Sequence, residues 1–155
     1  MMRPWKMAVV FGLGCSLSLA LLRGVSSSSP TSLSTGVQAG KVMREYKGIK
    51  LGLKQEQVRA ALGQPASSSE SSDDFTLTGD DTMTVRYENG EVKAIQLAFM
   101  EAKNAPAWKD VVGDAEVTEL ANGARTARKM LPEEKCWVAI YQNKEGTVTR
   151  ITISR

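Results

Sequence analysis

The pair Asn89-Gly90, set between two runs that alternate apolar and polar residues, most constrains what this 155-residue chain can fold into. Both residues tolerate positive φ, which a two-residue hairpin turn requires and most side chains resist. Before the turn, Met83, Val85 and Tyr87 share one face; after it, Ile95, Leu97 and Phe99 do the same. A β-hairpin over residues 83–98 follows from that register. A further alternating run, Phe75-Thr-Leu-Thr78, precedes a turn at Gly79-Asp80 and predicts a neighbouring strand.

Helix signals stand in front of these strands. Residues 55–62 place Val58, Ala61 and Leu62 on one stripe, Gly63 stops the run and Pro65 blocks its continuation. The same order then repeats. Asn104 and Pro106 open a second helix with Trp108, Val111 and Val112 as its apolar stripe, and Gly113 ends it. Strands follow at 115–120 and 125–131 around Asn122-Gly123, then at 137–141 and 147–154. Tyr87-Glu-Asn-Gly-Glu-Val92 aligns with Tyr141-Gln-Asn-Lys-Glu-Gly-Thr-Val148, and Ile95 with Ile151, which reads as a tandem repeat.

The spacing Gly52, Val58, Leu62, Gly63, Pro65 resembles the opening helix of the SmpA/OmlA (BamE-like) family of small bacterial envelope domains. That family shares its architecture with β-lactamase inhibitory protein, which is built from two such units. The resemblance implies an α+β fold of two tandem units, each a short helix packed on a roughly four-stranded antiparallel sheet, here over residues 46–101 and 102–155. It also implies an address in the cell envelope. Lys54 stands where the family motif has a capping Ser or Thr, and a side-chain cap is worth ~1 kcal/mol, so this helix leans on packing instead.

The N-terminus carries the export information. Arg3 and Lys6 precede an apolar run over residues 7–22, too short for a spanning helix of roughly 20 residues. Residues 1–27 read as a secretory signal peptide cleaved near Ser27, or as a retained N-terminal membrane anchor. Cys15 is a poor lipidation site: Gly12 occupies the position where a Leu-like residue is needed, and the apolar run continues past the cysteine. Residues 28–45 are rich in Ser, Thr and Gly and read as a flexible linker, with folding expected to begin near Tyr46.

Charge and composition exclude several functions. With Arg3, Lys6 and Arg23 in the leader, the rest of the chain holds 17 basic and 17 acidic residues. A neutral body without a Lys/Arg stripe argues against nucleic acid as partner. The chain has no histidine, which removes Ser-His-Asp triads, Cys-His pairs and the commonest transition-metal ligand. No P-loop, GxGxxG or CxxC spacing appears, so neither cofactor nor metal is expected. Asp73-Asp74 and Asp80-Asp81 flank a strand and could in principle hold Ca²⁺, but they lack the register of an EF-hand loop and read as solvated turn residues. Cys136 is the one cysteine left after cleavage and reads as a buried, inert thiol.

What remains is surface. If Phe75, Leu77, Met83, Val85, Tyr87, Ile95 and Leu97 face the helix, then Thr76, Thr78, Thr84, Arg86, Ala94 and Gln96 form the opposite wall. The repeat alignment places Trp137, Ala139 and Tyr141 inward and Cys136, Val138 and Ile140 outward, where those three make either a sticky patch or a strand covered on both sides. The candidate partner-binding residues are therefore Thr84, Arg86, Gln96, Val138, Ile140 and Arg150. The expected function is a non-catalytic, exported protein-binding module of the bacterial cell envelope, serving as an assembly or accessory factor. The alternatives are a secreted enzyme inhibitor of the β-lactamase-inhibitory-protein type, or a small hydrolase using carboxylates or Cys136. The expected partner is a protein, with membrane contact only through the N-terminal segment.

Overall fold

A computed structural model describes residues 41–155. The expectations for the export signal, for Cys15 and for linker residues 28–40 lie outside the described residues.

The Asn89-Gly90 turn forms as the sequence requires, with φ of 53° and 74°. It joins β5 (Thr82–Glu88) to β6 (Glu91–Phe99) in antiparallel register, Glu88 opposite Glu91 and Val85 opposite Ile95. A bulge follows Arg86, where Lys93 is the extra residue between the pairs Arg86–Ala94 and Tyr87–Val92. The bulge lets Val92 and Ile95 both reach the core although they are three residues apart.

Before this hairpin come β1 (Glu45–Tyr46) and β2 (Ile49–Lys50), α1 (Gln55–Leu62), β3 (Ser67–Ser68) and β4 (Ser72–Thr76). After it come α2 (Trp108–Val112), β7 (Thr118–Glu119), β8 (Arg125–Leu131), β9 (Cys136–Gln142) and β10 (Thr149–Ser154). The fold is α+β with few helices and a large antiparallel sheet. Separate four-stranded sheets are not what the strands build. They join into one eight-stranded sheet in the order β3-β4-β5-β6-β10-β9-β8-β7, beside a two-stranded β1-β2 hairpin. The junction is a β6–β10 ladder of six facing pairs, from Thr149 opposite Phe99 to Ser154 opposite Ala94.

Both helices and the β1-β2 hairpin contribute to the core on one side of that sheet. Val58 of α1 and Val111 and Val112 of α2 are buried there with Met83, Val85, Ile95, Leu97, Val138, Ile140, Ile151 and Ile153. Each such aliphatic side chain contributes about 1.5–3 kcal/mol by leaving water. Ala61 is exposed, so the α1 stripe is narrower than its sequence pattern. Gln57 Oε1 accepts from the Lys54 N–H at 2.9 Å, so the helix start gains a reaching-back side chain although Lys54 offers no acceptor. In front of α2, Asn104 closes a short 3-10 turn rather than capping the helix, and Ala107 takes the N-cap position.

Order begins earlier than Tyr46. Val42 is 8% exposed and joins the core, and the Met43 N–H donates to Val111 O at 3.0 Å, so these two residues of the expected linker are held against the folded body. The β1-β2 turn at Lys47-Gly48 has φ of 50° and 77° and delivers Ile49 fully into the core. Backbone hydrogen bonds from Gly52 N to Val92 O and from Gln55 N to Gly90 O then tie the start of α1 to the β5-β6 turn.

Candidate partner-binding face

Strand alternation sends every second residue of the large sheet away from the helices, and the pairing register aligns those residues in rows. One row runs Ser72, Arg86, Ala94, Ser154, Trp137, Met130. The next runs Asp74, Thr84, Gln96, Thr152, Ala139, Arg128. The third runs Thr76, Thr82, Ala98, Arg150, Tyr141, Thr126. No described helix packs over these rows. Arg86, Trp137 and Ser154 help line a depression of about 590 Å³, and Thr84 and Arg150 help line a second of about 410 Å³. Gln96 and Thr152 border both.

Thr84, Arg86, Gln96 and Arg150 therefore share this outer face. Val138 and Ile140 do not: they are 0% and 1% exposed and lie in the core beneath the helices. The inward and outward sets of β9 are the reverse of the sequence expectation, with Trp137, Ala139 and Tyr141 outside. The reason is a one-residue slip, which flips every side chain of a strand. Ile140 faces Ile151 as Val85 faces Ile95, which leaves Tyr141 one residue out of step with the inward Tyr87 across the longer β9-β10 loop, where Asn143 N donates to Val148 O at 3.1 Å and its Oδ1 accepts from the Val148 N–H at 2.9 Å. β10, aligned through Ile151, kept its register, so Arg150 points outward.

The slip also hid the most distinctive pair on the face. The Arg128 guanidinium lies over the Trp137 ring, 4.2 Å from its centroid, with Arg128 exposed and Trp137 half-buried beneath it. Such stacking contributes ~0.5–1 kcal/mol at exposed sites. Among the described residues Arg86, Arg128 and Arg150 form no salt bridge. The strand carboxylates on the same side are engaged: Thr84 Oγ1 donates to Asp74 Oδ1 at 2.6 Å, and Lys93 Nζ to Glu88 Oε2 at 2.8 Å. The run Arg125-Thr-Ala-Arg-Lys-Met-Leu131 has no clean apolar alternation, so only the burial of Ala127 in the structure shows that Arg128 faces outward.

Two other sequence candidates change character. Asp73 and Asp81, expected as solvated turn residues, are 0% and 3% exposed. Asp73 lies on the inward side of β4 with Phe75 and accepts from Arg59 Nε at 2.9 Å, Arg59 Nη2 at 2.8 Å, Ser68 Oγ at 2.7 Å and Tyr87 Oη at 3.0 Å. Donation by Arg59, outweighing burial, holds its carboxyl down at about 2. The same burial, with the Asp73 charge, pushes the Tyr87 phenol up. Asp81 accepts from the Met100 N–H at 2.8 Å and from Asn104 Nδ2 at 3.0 Å. These carboxylates clamp α1 and the β6-α2 connection to the sheet.

Cys136 is 5% exposed, and its thiol is pushed up by burial first and then by the Glu134 charge, with Arg44 and Arg155 pulling the other way. It stays a protonated thiol at neutral pH, unlike a nucleophilic cysteine. Among the described residues no three His, Cys, Asp or Glu side chains gather as a metal site, and no helix is long and apolar enough to cross a membrane. Chemically, the outer face offers hydrogen-bond donors, an Arg-covered indole and shallow relief. No family model, curated protein or solved structure matches the chain.

Proposed function

We propose that this protein is a non-catalytic, exported binding module of the bacterial cell envelope, and that it holds a protein partner on the outer face of its large sheet. The observation that carries the reading is that face itself. It spans β4, β5, β6, β10, β9 and β8 without a covering element among the described residues, and it presents three arginines with no ion-pair partner there. Arginine and tryptophan are the residues that most often anchor protein interfaces. The strand order β3-β4-β5-β6 against β7-β8-β9-β10 supports a finer reading as two tandem helix-and-four-strand units fused through β6 and β10. The N-terminal sequence supports export, and the resemblance to the SmpA/OmlA family supports an envelope role as an assembly or accessory factor.

The test is affinity capture with the full-length protein from envelope extract, run beside two variants. Arg86→Glu with Arg150→Glu reverses charge on the outer face, and Lys109→Glu with Asp110→Lys alters exposed positions of α2 on the opposite side. A partner lost only with the outer-face variant supports the reading. A partner lost only with the α2 variant would place the functional surface on the helix side.

A further inference from the structure

Resting on that reading, the geometry points to the kind of partner: we infer that the outer face takes a carboxylate-bearing, extended segment of another protein, gripped by Arg86, Arg128 and Arg150. Charge complementarity is the first argument. The three guanidinium groups have no carboxylate within ion-pair distance among the described residues, while on the same face Glu88 is paired with Lys93 and Asp74, which keeps its charge, is held by the Thr84 hydroxyl. Arg86, Arg128, Arg150 and Lys93 outnumber Asp74 and Glu88 on this face, so it carries net positive charge on a body whose charges sum to zero, and a Glu- or Asp-rich segment supplies what is missing.

The pairing register gives the scale. Arg86 is on β5, Arg150 two strands over on β10, and Arg128 a further two strands over on β8. At roughly 4.8 Å between strands and 3.4 Å per residue, the three Cα positions form a triangle about 12–20 Å on a side. An extended segment of about six residues spans it, with alternate side chains directed at the sheet.

Other occupants fit less well. A second copy laid face to face would set these arginines against themselves. A glycan or nucleic acid would use aromatic rings as stacking platforms, but Arg128 lies over Trp137 and is the more exposed of the two, which makes the outermost group a forked donor suited to carboxylates.

Fluorescence anisotropy with the full-length protein tests this. The probe is a fluorescein-labelled eight-residue peptide alternating Glu and Thr, with the Gln-for-Glu peptide as control and polygalacturonate as competing anionic glycan. The acidic peptide should bind at low salt, weaken as salt rises, and exceed the Gln peptide. Arg86→Ala or Arg150→Ala should each weaken it about fivefold, and the pair about 25-fold, as independent exposed ion pairs do. Arg150→Lys should restore part of the loss, and thermal unfolding of each variant should match wild type. No binding of the acidic peptide, binding equal to the Gln peptide, or binding indifferent to the arginines overturns the inference. So does polygalacturonate binding more tightly than the peptide with the same arginine dependence, which would assign the face to glycan. A captured envelope protein whose binding ignores salt and Arg→Ala changes but fails in Trp137→Ala would overturn the acidic segment while leaving the protein-binding reading intact.

Discussion

Asp73→Asn isolates how much one buried carboxylate contributes to holding α1 on the sheet. The side chain is fully buried and accepts four hydrogen bonds, two of them from the Arg59 guanidinium. Its folded pKa is lowered from 3.8 to about 2. At 1.36 kcal/mol per unit this is ~2 kcal/mol of stability, reduced to about 1–2 kcal/mol because the Arg59 side chain is 41% exposed and screened by water. A depressed carboxyl pKa means that the contribution is fully present above the ordinary value of 3.8 and disappears as pH falls toward about 2. The amide that replaces the carboxylate has the same shape but turns a donor toward Arg59. Urea unfolding followed by far-UV circular dichroism should show the variant less stable by at least 1–2 kcal/mol at pH 7, with the gap closing between about pH 4 and 2. A gap of the same size at pH 7 and at pH 2.5, or none at pH 7, would refute the electrostatic account of this clamp.

Further outcomes follow from burial and backbone geometry. Ile140→Ala should cost about 2–5 kcal/mol in the same unfolding assay, because the residue is 1% exposed, whereas Arg150→Ala should stay within ~0.5 kcal/mol. Gly90→Ala should lose about 1 kcal/mol of stability, since its φ of 74° disfavours any Cβ. Cys136 should react with a disulfide reagent much more slowly in the native protein than in urea, and its rate should still be climbing at pH values above the ordinary thiol value instead of levelling off there, because burial raises its pKa.

The β5-β6 hairpin was legible because Asn89-Gly90 and the flanking alternation act locally, within a dozen residues. The apolar residues of α2 and the outward placement of Thr84, Arg86 and Gln96 were legible for the same reason, whereas that of Arg150 came from matching Ile151 to Ile95 across the repeat. β9 was not, because its facing depends on how the longer loop at residues 143–148 closes, and one residue of slip is invisible to a pattern in which both faces are apolar. Asp73 was misread since its neighbours Ser71, Ser72 and Asp74 make it look like part of a polar turn; only Arg59, fourteen residues earlier, makes its burial affordable. The union of the strands into one sheet was also hidden, because the β6–β10 ladder joins segments some fifty residues apart. The Arg128–Trp137 stack combines two of these effects, a register and a cross-strand neighbour.

That central ladder has a consequence for what the chain tolerates. Cutting the protein between β6 and α2 would not release an independent half. It would strip the partner from nine-residue β6 and expose its backbone donors and acceptors along with the Ile95 and Leu97 flank. A half-chain so made has one good way to satisfy that edge, which is to pair it with the β6 of another half-chain. The seam that makes the intact molecule a single cooperative sheet is, in a truncated one, an adhesive.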